Sequence, residues 1–134
     1  MGYILAYIAI GLFTLVYIID GFIILLCNVK GRKWYKITSQ RSRTKAFKTD
    51  VIANWLFPDT WTFLFSWKGG YKFGKFGESL SSCLGKKKID KTLSWIGLFF
   101  YCVLYCCDWT AWGKGGHCFV SIMSEEEIKD FINK

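Results

Sequence analysis

The chain has 134 residues, of which 52% are apolar and 19% aromatic, and its formal net charge is +8. This length is enough for one compact unit, and the apolar content is high for a soluble domain of that size. The chain contains one proline and no internal repeat or low-complexity tract. This composition excludes a proline-rich linker and predicts an ordered chain.

The positive charge is concentrated in the middle of the sequence. The stretch from Lys30 to Lys91 holds 15 of the 18 Lys and Arg residues and only four acids, which gives it a net charge of +11. Such a stretch attracts polyanions, and it lies between two apolar runs. We therefore expect it to contact anionic lipid headgroups and not nucleic acid.

The first apolar run extends from Tyr3 to Ile19 without a charge and continues beyond Asp20. As a helix over residues 1–29 it would be about 40 Å long, which exceeds the ~30 Å hydrocarbon core of a bilayer. No Lys or Arg precedes the run and no small-residue cleavage site follows it, so it does not match a secretory signal peptide. It predicts a retained transmembrane helix.

A second apolar run covers residues 93–112, in which Asp108 is the single ionisable side chain apart from weakly acidic Cys and Tyr. Tryptophans stand near both ends of this run, where aromatic belts form in membrane proteins: Trp95, Trp109 and Trp112. The pattern predicts a second transmembrane helix of twenty residues.

Two crossings would place residues 30–92 on one side of an inner or plasma membrane. The positive-inside tendency assigns that side to the cytoplasm and both termini to the opposite side. Within it, residues 30–50 form a basic juxtamembrane segment and residues 68–92 a basic loop rich in Gly and Lys. The candidate contacts to lipid headgroups or a partner are Lys30, Arg32, Lys33, Lys36, Lys86, Lys87 and Lys88.

Between these basic segments, residues 51–67 are mostly apolar and aromatic but are interrupted by Pro58 and Asp59. A straight helix of this length would be about 25 Å long, which is marginal for crossing a bilayer. We expect a re-entrant or interfacial segment that turns at Pro58 and Asp59, with a third crossing as the alternative. The tryptophans expected at headgroup depth are Trp55, Trp61 and Trp67.

Asp20 is an acid within the first predicted span. An acid at the bilayer centre costs roughly 2.5–3.5 kcal/mol on insertion scales and by default marks a functional site. A structural ion pair with a basic side chain, a partner subunit or water is the other interpretation. Both interpretations remain open from the sequence.

The cysteines of the second run and the following loop form a second candidate site. Cys106 and Cys107 are followed ten residues later by His117 and Cys118. Buried thiols that pack as small apolar groups, a disulfide from Cys106 or Cys107 to Cys118, and a metal site are the three interpretations. The metal site is disfavoured because the C-x-x-C spacing of zinc motifs is missing, so we predict neither a metal nor a cofactor.

No catalytic motif is recognisable in the sequence. Residues 69–75 have the glycine and lysine spacing of a phosphate-binding loop, but Phe76 stands where that loop needs Ser or Thr. His117 is the single histidine that could serve as a base, and no nucleophile elbow or carboxylate pair lies near it in sequence. We predict that the protein is not an enzyme.

Residues 113–134 comprise the Cys/His loop and a predicted amphipathic helix. Ser124 and Glu127 have the spacing of a capping box, and Ile128, Phe131 and Ile132 form one apolar stripe. A helix of about ten residues is marginal alone, so it is expected to dock on another surface.

Asn54, Trp61-Thr62 and Trp67 resemble the Asn, Gly-Trp-Thr and aromatic positions in a span of small phage-type superinfection immunity proteins. The spacing differs, Thr60 replaces the glycine, and the resemblance covers a short part of the chain. It implies a small, non-enzymatic regulator of the inner membrane and transfers no functional residue.

Together these features predict an all-α membrane protein with two transmembrane helices, an aromatic re-entrant or interfacial segment and a short amphipathic C-terminal helix. The predicted function is contact with a larger membrane partner, or with further copies of the chain, in a regulatory, immunity-like or accessory role. The alternative is an oligomeric, holin-like pore in which Asp20 faces a wet lumen.

Overall fold

The structure is a computed structural model that describes the backbone of residues 2–28 and 32–133. Side chains are described for the same residues except 2–6, 24, 25, 27, 28 and 32–39. The described chain is all-helical and has no β-strand, which confirms the predicted all-α class. An isolated antiparallel bridge joins Ser66 to Leu93.

The chain divides into two compact units, Met1–Lys45 and Ala46–Lys134. In the first unit, helix α1 covers Gly2–Asn28, and helix α2, Arg32–Leu56, begins. Apart from Asp20, every described side chain of α1 is exposed, although most of them are large and apolar. The described part of this unit therefore has no buried apolar core.

Among the described residues, no helix combines the length and the apolar character that crossing a membrane requires. The twenty-residue helix predicted over residues 93–112 is wrong in its length. Helix α5 covers Trp95–Cys107, and at ~1.5 Å per residue its 13 residues reach about 20 Å. It ends because the backbone of Asp108 leaves the helical region (φ −106°, ψ 76°) and the chain continues as a 3₁₀ helix.

The second unit packs the end of α2 with five further α-helices and the 3₁₀ helix. Its core consists of Phe65, Phe73, Cys83, Leu84 and Cys118. The elements in chain order after α2 are α3 (Pro58–Phe65), α4 (Leu80–Ile89), α5, the 3₁₀ helix (Trp109–Lys114), α6 (His117–Val120) and α7 (Glu125–Ile132).

Helix α4 lies at the centre of this unit and packs against α5 and α6. Gly85 permits the close approach, because a Cβ atom there would lie 2.4 Å from the carbonyl oxygen of Cys118. Because residues 80–89 are helical, the prediction of a loop over residues 68–92 is wrong for these ten residues. Ser79 begins the helix by accepting a hydrogen bond from the Ser82 N–H at 3.1 Å.

The aromatic segment at residues 51–67 is helical on both sides of a single interruption. Phe57 separates α2 from α3, and Pro58 occupies the first turn of α3, where its missing N–H leaves no hydrogen bond broken. Pro58 and Asp59 thus begin a helix and do not form the predicted turn. Pro58 still marks the end of α2, because proline has no N–H to donate to a carbonyl oxygen of that helix.

The C-terminal helix is confirmed as α7, with both hydrogen bonds of the capping box between Ser124 and Glu127. The helix docks on its own unit: Ile128 is buried, and the ring of Phe131 meets that of Phe47 edge to face at 5.6 Å. Docking explains why so short a helix forms.

Candidate functional site

The interior of the second unit contains charged and hydroxyl side chains in mutual contact. The Glu78 side chain is fully buried and accepts hydrogen bonds from Lys86 Nζ at 2.6 Å, Ser82 Oγ at 2.7 Å and Tyr71 Oη at 2.5 Å. Burial, followed by the hydrogen bond and charge of Glu78, raises the pKa of the Tyr71 hydroxyl. We call Tyr71, Glu78, Ser82 and Lys86 the Glu78 cluster.

Asn54 connects α2 to the loop that precedes α4. Its amide nitrogen donates to the Glu78 carbonyl oxygen at 2.9 Å, and its amide oxygen accepts from the Gly74 N–H at 3.1 Å. Both ends of this buried amide are therefore satisfied. The residue fixes the loop that carries Tyr71 and Glu78.

A second polar group joins α2, α4, α5 and α6 around His117. His117 Nδ1 lies 2.8 Å from Asp108 Oδ2, and His117 Nε2 lies 3.4 Å from Ser81 Oγ. The same Ser81 hydroxyl donates to Asp50 Oδ2 at 2.7 Å, and the Ser81 N–H donates to that oxygen at 3.1 Å. Asp50, Ser81, Asp108 and His117 form what we call the His117 relay.

The two acids of the His117 relay are shifted in opposite directions. Burial raises the pKa of Asp50, although the hydrogen bonds from Ser81 oppose that effect. Hydrogen bonds from Thr110 and His117 hold the pKa of Asp108 below its usual range. The pKa of the acid that contacts Ser81 is thus raised, and the pKa of the acid that contacts His117 is lowered.

A hydroxyl, an imidazole and a carboxylate follow one another in space, as in a catalytic triad, at Ser81, His117 and Asp108. The sequence does not reveal this arrangement, because Ser81 precedes His117 by 36 positions. The geometry nevertheless matches a structural role. The Ser81 hydroxyl already donates to Asp50, and the residue is only 5% exposed, so a substrate cannot reach its oxygen. The relay holds the first turn of α4 to α5 and α6.

The outer side of α5 has the opposite character. Residues 96, 97, 101 and 104 are buried or half-buried toward the core, while the other side is exposed. Residues at helical spacing on the exposed side form what we call the α5 outer face: Trp95, Leu98, Phe99, Cys102, Val103 and Cys106. Trp95 is 74% exposed, so the apolar surface of this helix is turned away from its own fold.

The predicted headgroup lysines of α4 are divided between interior and surface. Lys86 belongs to the Glu78 cluster, and Lys87 is buried with its Nζ donating to the Gly69 carbonyl oxygen at 2.8 Å. Burial lowers the pKa of Lys87, whereas the charge of Asp90 opposes that shift. The prediction of headgroup contact is wrong for the buried Lys87, whereas Lys86 is half-buried and Lys88 is exposed.

The remaining predicted basic contacts fall outside what the structure describes. Lys30 is outside the described residues, as are the side chains of Arg32, Lys33 and Lys36. Their proposed contact with headgroups stays a prediction.

The three predicted interfacial tryptophans also differ from one another. Trp61 is half-buried, stacks on Phe65 at 5.3 Å and donates from Nε1 to the Ala53 carbonyl oxygen at 2.8 Å. Trp55 is exposed but meets the ring of Phe76 edge to face. Trp67 is exposed, so it keeps the surface position that an interfacial tryptophan needs.

The disulfide from Cys106 or Cys107 to Cys118, one of the three interpretations of the cysteines, is not formed. Cys106, Cys107 and Cys118 are free thiols, as are Cys83 and Cys102. Cys118 is buried on α6, and burial raises the pKa of its thiol to about 12, whereas Cys106 and Cys107 are exposed near the end of α5. Among the described residues, no three metal-ligating side chains converge on one site.

Asp20 forms an ion pair with Lys45, and both side chains are about one third exposed. The two residues belong to the first unit, so the pair stays within it. This pairing supports the structural interpretation of Asp20 over the functional one, because the carboxylate already has a cationic partner.

No protein-family model, curated protein or solved structure matches this chain. Function is therefore inferred from the residues of the chain alone.

Proposed function

We propose that this protein associates with a membrane through α1 and the α5 outer face, and acts without catalysis by binding a larger membrane protein. The observation that carries the proposal is the exposure of large apolar side chains on a unit that also buries charged ones. Glu78 and Lys87 are buried, whereas Phe63 is 85% and Trp95 74% exposed. Large exposed apolar patches mark surfaces that another apolar phase or partner covers.

Lipid is the occupant that the α5 outer face fits best. The face combines apolar side chains with Trp95 at its start, and Trp109 follows it closely, both strongly exposed. Tryptophan favours the boundary between acyl chains and headgroups, because its ring is apolar and its N–H is polar. Exposed Lys91 and Lys114 lie in sequence on either side of α5, where they can meet anionic headgroups.

Helix α1 supports the same proposal independently. Its described side chains from Tyr7 to Ile19 are all exposed, and they are apolar on every side of the helix. A helix that is apolar around its whole circumference is stabilised by apolar surroundings. The Asp20–Lys45 pair neutralises the one acid of α1, which lowers the cost of contact with lipid.

The basic stretch between residues 30 and 91 favours the cytoplasmic leaflet, which is rich in anionic lipid in most cells. A role by contact is proposed because the buried or half-buried charged groups of the two polar clusters have hydrogen-bond partners. In both the Glu78 cluster and the His117 relay, the potential catalytic groups are engaged in holding helices together.

The proposal can be tested with an environment-sensitive fluorophore on the α5 outer face. Three cysteines, Cys27, Cys106 and Cys107, are replaced with serine. Among the described cysteines that remain, Cys102 is then the exposed one, since Cys83 and Cys118 are buried. An NBD label on Cys102 should shift its emission to the blue in phosphatidylcholine and phosphatidylglycerol vesicles and be quenched by spin-labelled acyl chains.

The matched control carries Lys72→Cys in place of Cys102, because Lys72 is exposed on the loop before α4. Its label should remain accessible to iodide in water. Equal iodide quenching of the two labels would refute lipid contact by α5. Release of the protein from the vesicles by high salt would refute anchoring by apolar side chains.

A further inference from the structure

The second unit has a groove of about 500 Å³ beside α7. Its apolar lining comes from Phe47, Val120, Ile122, Met123 and Phe131. Val120 and Phe47 are exposed although each is large and apolar. The volume lies within the range of roughly 300–1,000 Å³ that is typical of ligand sites.

One wall of the groove is acidic. Glu127 and Asp130 line it and stand three positions apart, so they project from the same side of α7. Hydrogen bonds from the backbone and side chain of Ser124 lower the pKa of Glu127. In the described residues neither acid has a basic side chain within ion-pair distance.

The acidic wall contrasts with the chain as a whole, whose formal net charge is +8. The carboxylates of Glu127 and Asp130 would repel anionic lipid, so this wall suits a different, cationic contact. The charge fits a cationic occupant, and the apolar floor fits side chains such as Leu or Phe. An amphipathic basic peptide has both properties.

We infer that this groove binds the basic juxtamembrane segment of a membrane protein, with apolar side chains on Phe47, Val120 and Phe131 and Lys or Arg on Glu127 and Asp130. The inference rests on the proposed function, because segments beside membrane spans on the cytoplasmic side carry the excess of Lys and Arg. It names the chemistry by which the larger partner is recognised.

The probe is a labelled helical peptide of leucine and lysine, with leucine at i, i+3, i+4 and i+7. Its counterpart replaces every lysine with glutamate. Fluorescence anisotropy measures binding to the full chain in phosphatidylcholine nanodiscs, with empty nanodiscs as the blank. The lysine peptide should bind, and the glutamate peptide should bind at least tenfold more weakly.

The double variant Glu127→Gln and Asp130→Asn should weaken binding of the lysine peptide roughly five- to tenfold and reduce its dependence on salt. Glutamine can still serve the capping box, so α7 should remain folded. The control is Glu126→Gln with Asp59→Asn, which removes the same charge from exposed positions outside the groove. That control should bind as the unmodified chain does.

Equal binding of both peptides would overturn the inference, because the groove would then accept apolar side chains without selecting charge. Equal loss in the two double variants would also overturn it, since net charge and not the groove would be responsible. A photocrosslinker at Val120 that joins two copies of the chain would replace the partner with a second copy. The NBD signal from Cys102 in the same nanodiscs reports lipid contact, whereas peptide anisotropy reports binding in the groove. The failure of one proposal can therefore be distinguished from the failure of the other.

Discussion

Helices α4 and α5 are neighbours whose burial contradicts their composition. Helix α4 contains two serines and three lysines and is the most enclosed helix of its unit, whereas α5 is almost entirely apolar and turns one side outward. Polar residues can be buried when their partners are within hydrogen-bond distance. Glu78 is the partner of Ser82 and Lys86, whereas Ser81 donates to Asp50 and Lys87 to the Gly69 carbonyl oxygen. In α4, polar partners therefore permit a burial that the low hydropathy of the helix does not predict.

The largest effect is expected from removing the Glu78 carboxylate, which accepts hydrogen bonds from Ser82 and Lys86 of α4. Glu78→Ala leaves Lys86, Ser82 and Tyr71 without their shared acceptor, and we expect a loss of about 3–5 kcal/mol in the free energy of unfolding. Guanidinium unfolding in a non-ionic detergent, followed by near-ultraviolet circular dichroism, measures it.

Glu125→Gln is the matched control, because it breaks the exposed ion pair with Lys75. Its unfolding midpoint should equal that of the unmodified chain, since exposed pairs contribute little. If Glu78→Ala were equally silent, the Glu78 cluster would not stabilise the fold.

A pair of leucines compares the two helices directly. Leu84 on α4 is 1% exposed, whereas Leu98 on the α5 outer face is 40% exposed. Leu84→Ala should cost about 2–5 kcal/mol, because it leaves a cavity in the core. Leu98→Ala should change stability in detergent by within about 0.5 kcal/mol. Similar losses at both positions would mean that the α5 outer face packs on protein and not on lipid.

The smallest expected effect lies at the end of α5, where the apolar helix meets the His117 relay. The folded-state pKa of Asp108 is lowered, so its stabilising contribution is present above the usual Asp pKa of 3.8 and is lost as pH falls through the lowered value. Asp108→Asn should therefore be less stable than the unmodified chain at pH 6, and this difference should shrink toward pH 3.

Unfolding midpoints at the two pH values test this expectation. Asp59→Asn serves as the control, because Asp59 is exposed in the first turn of α3. A difference between Asp108→Asn and the unmodified chain that grows toward acid pH would contradict the assigned contacts.

Local features of this fold were predictable, and long-range ones were not. The capping box of α7 involves Ser124 and Glu127, which are three residues apart, and the sequence displays it directly. The length of α5 was overestimated because hydropathy continues through Trp109 and Trp112, while the backbone at Asp108 departs from the helix. An apolar run predicts surroundings better than it predicts where a helix ends.

The candidate site was invisible for a different reason. Asn54 and Glu78 are 24 positions apart, and Ser81 and His117 are 36 apart, so no window of sequence contains either contact. The sequence predicts headgroup or partner contact for all three of Lys86, Lys87 and Lys88, but a helix turns each successive residue by about 100°. Two of the three consequently point into the fold.

The contact between Ser82 and Met123 has a consequence for the order of folding during synthesis. The Met123 N–H donates to the Ser82 hydroxyl at 3.0 Å, and that hydroxyl in turn donates to Glu78. Helix α1 is synthesised long before the ribosome adds residue 123, and domains form in the order of their translation. Under the proposed membrane association, attachment to the bilayer would precede completion of the interior, and a nascent chain arrested before Met123 would lack the hydrogen bond from the Met123 N–H to Ser82.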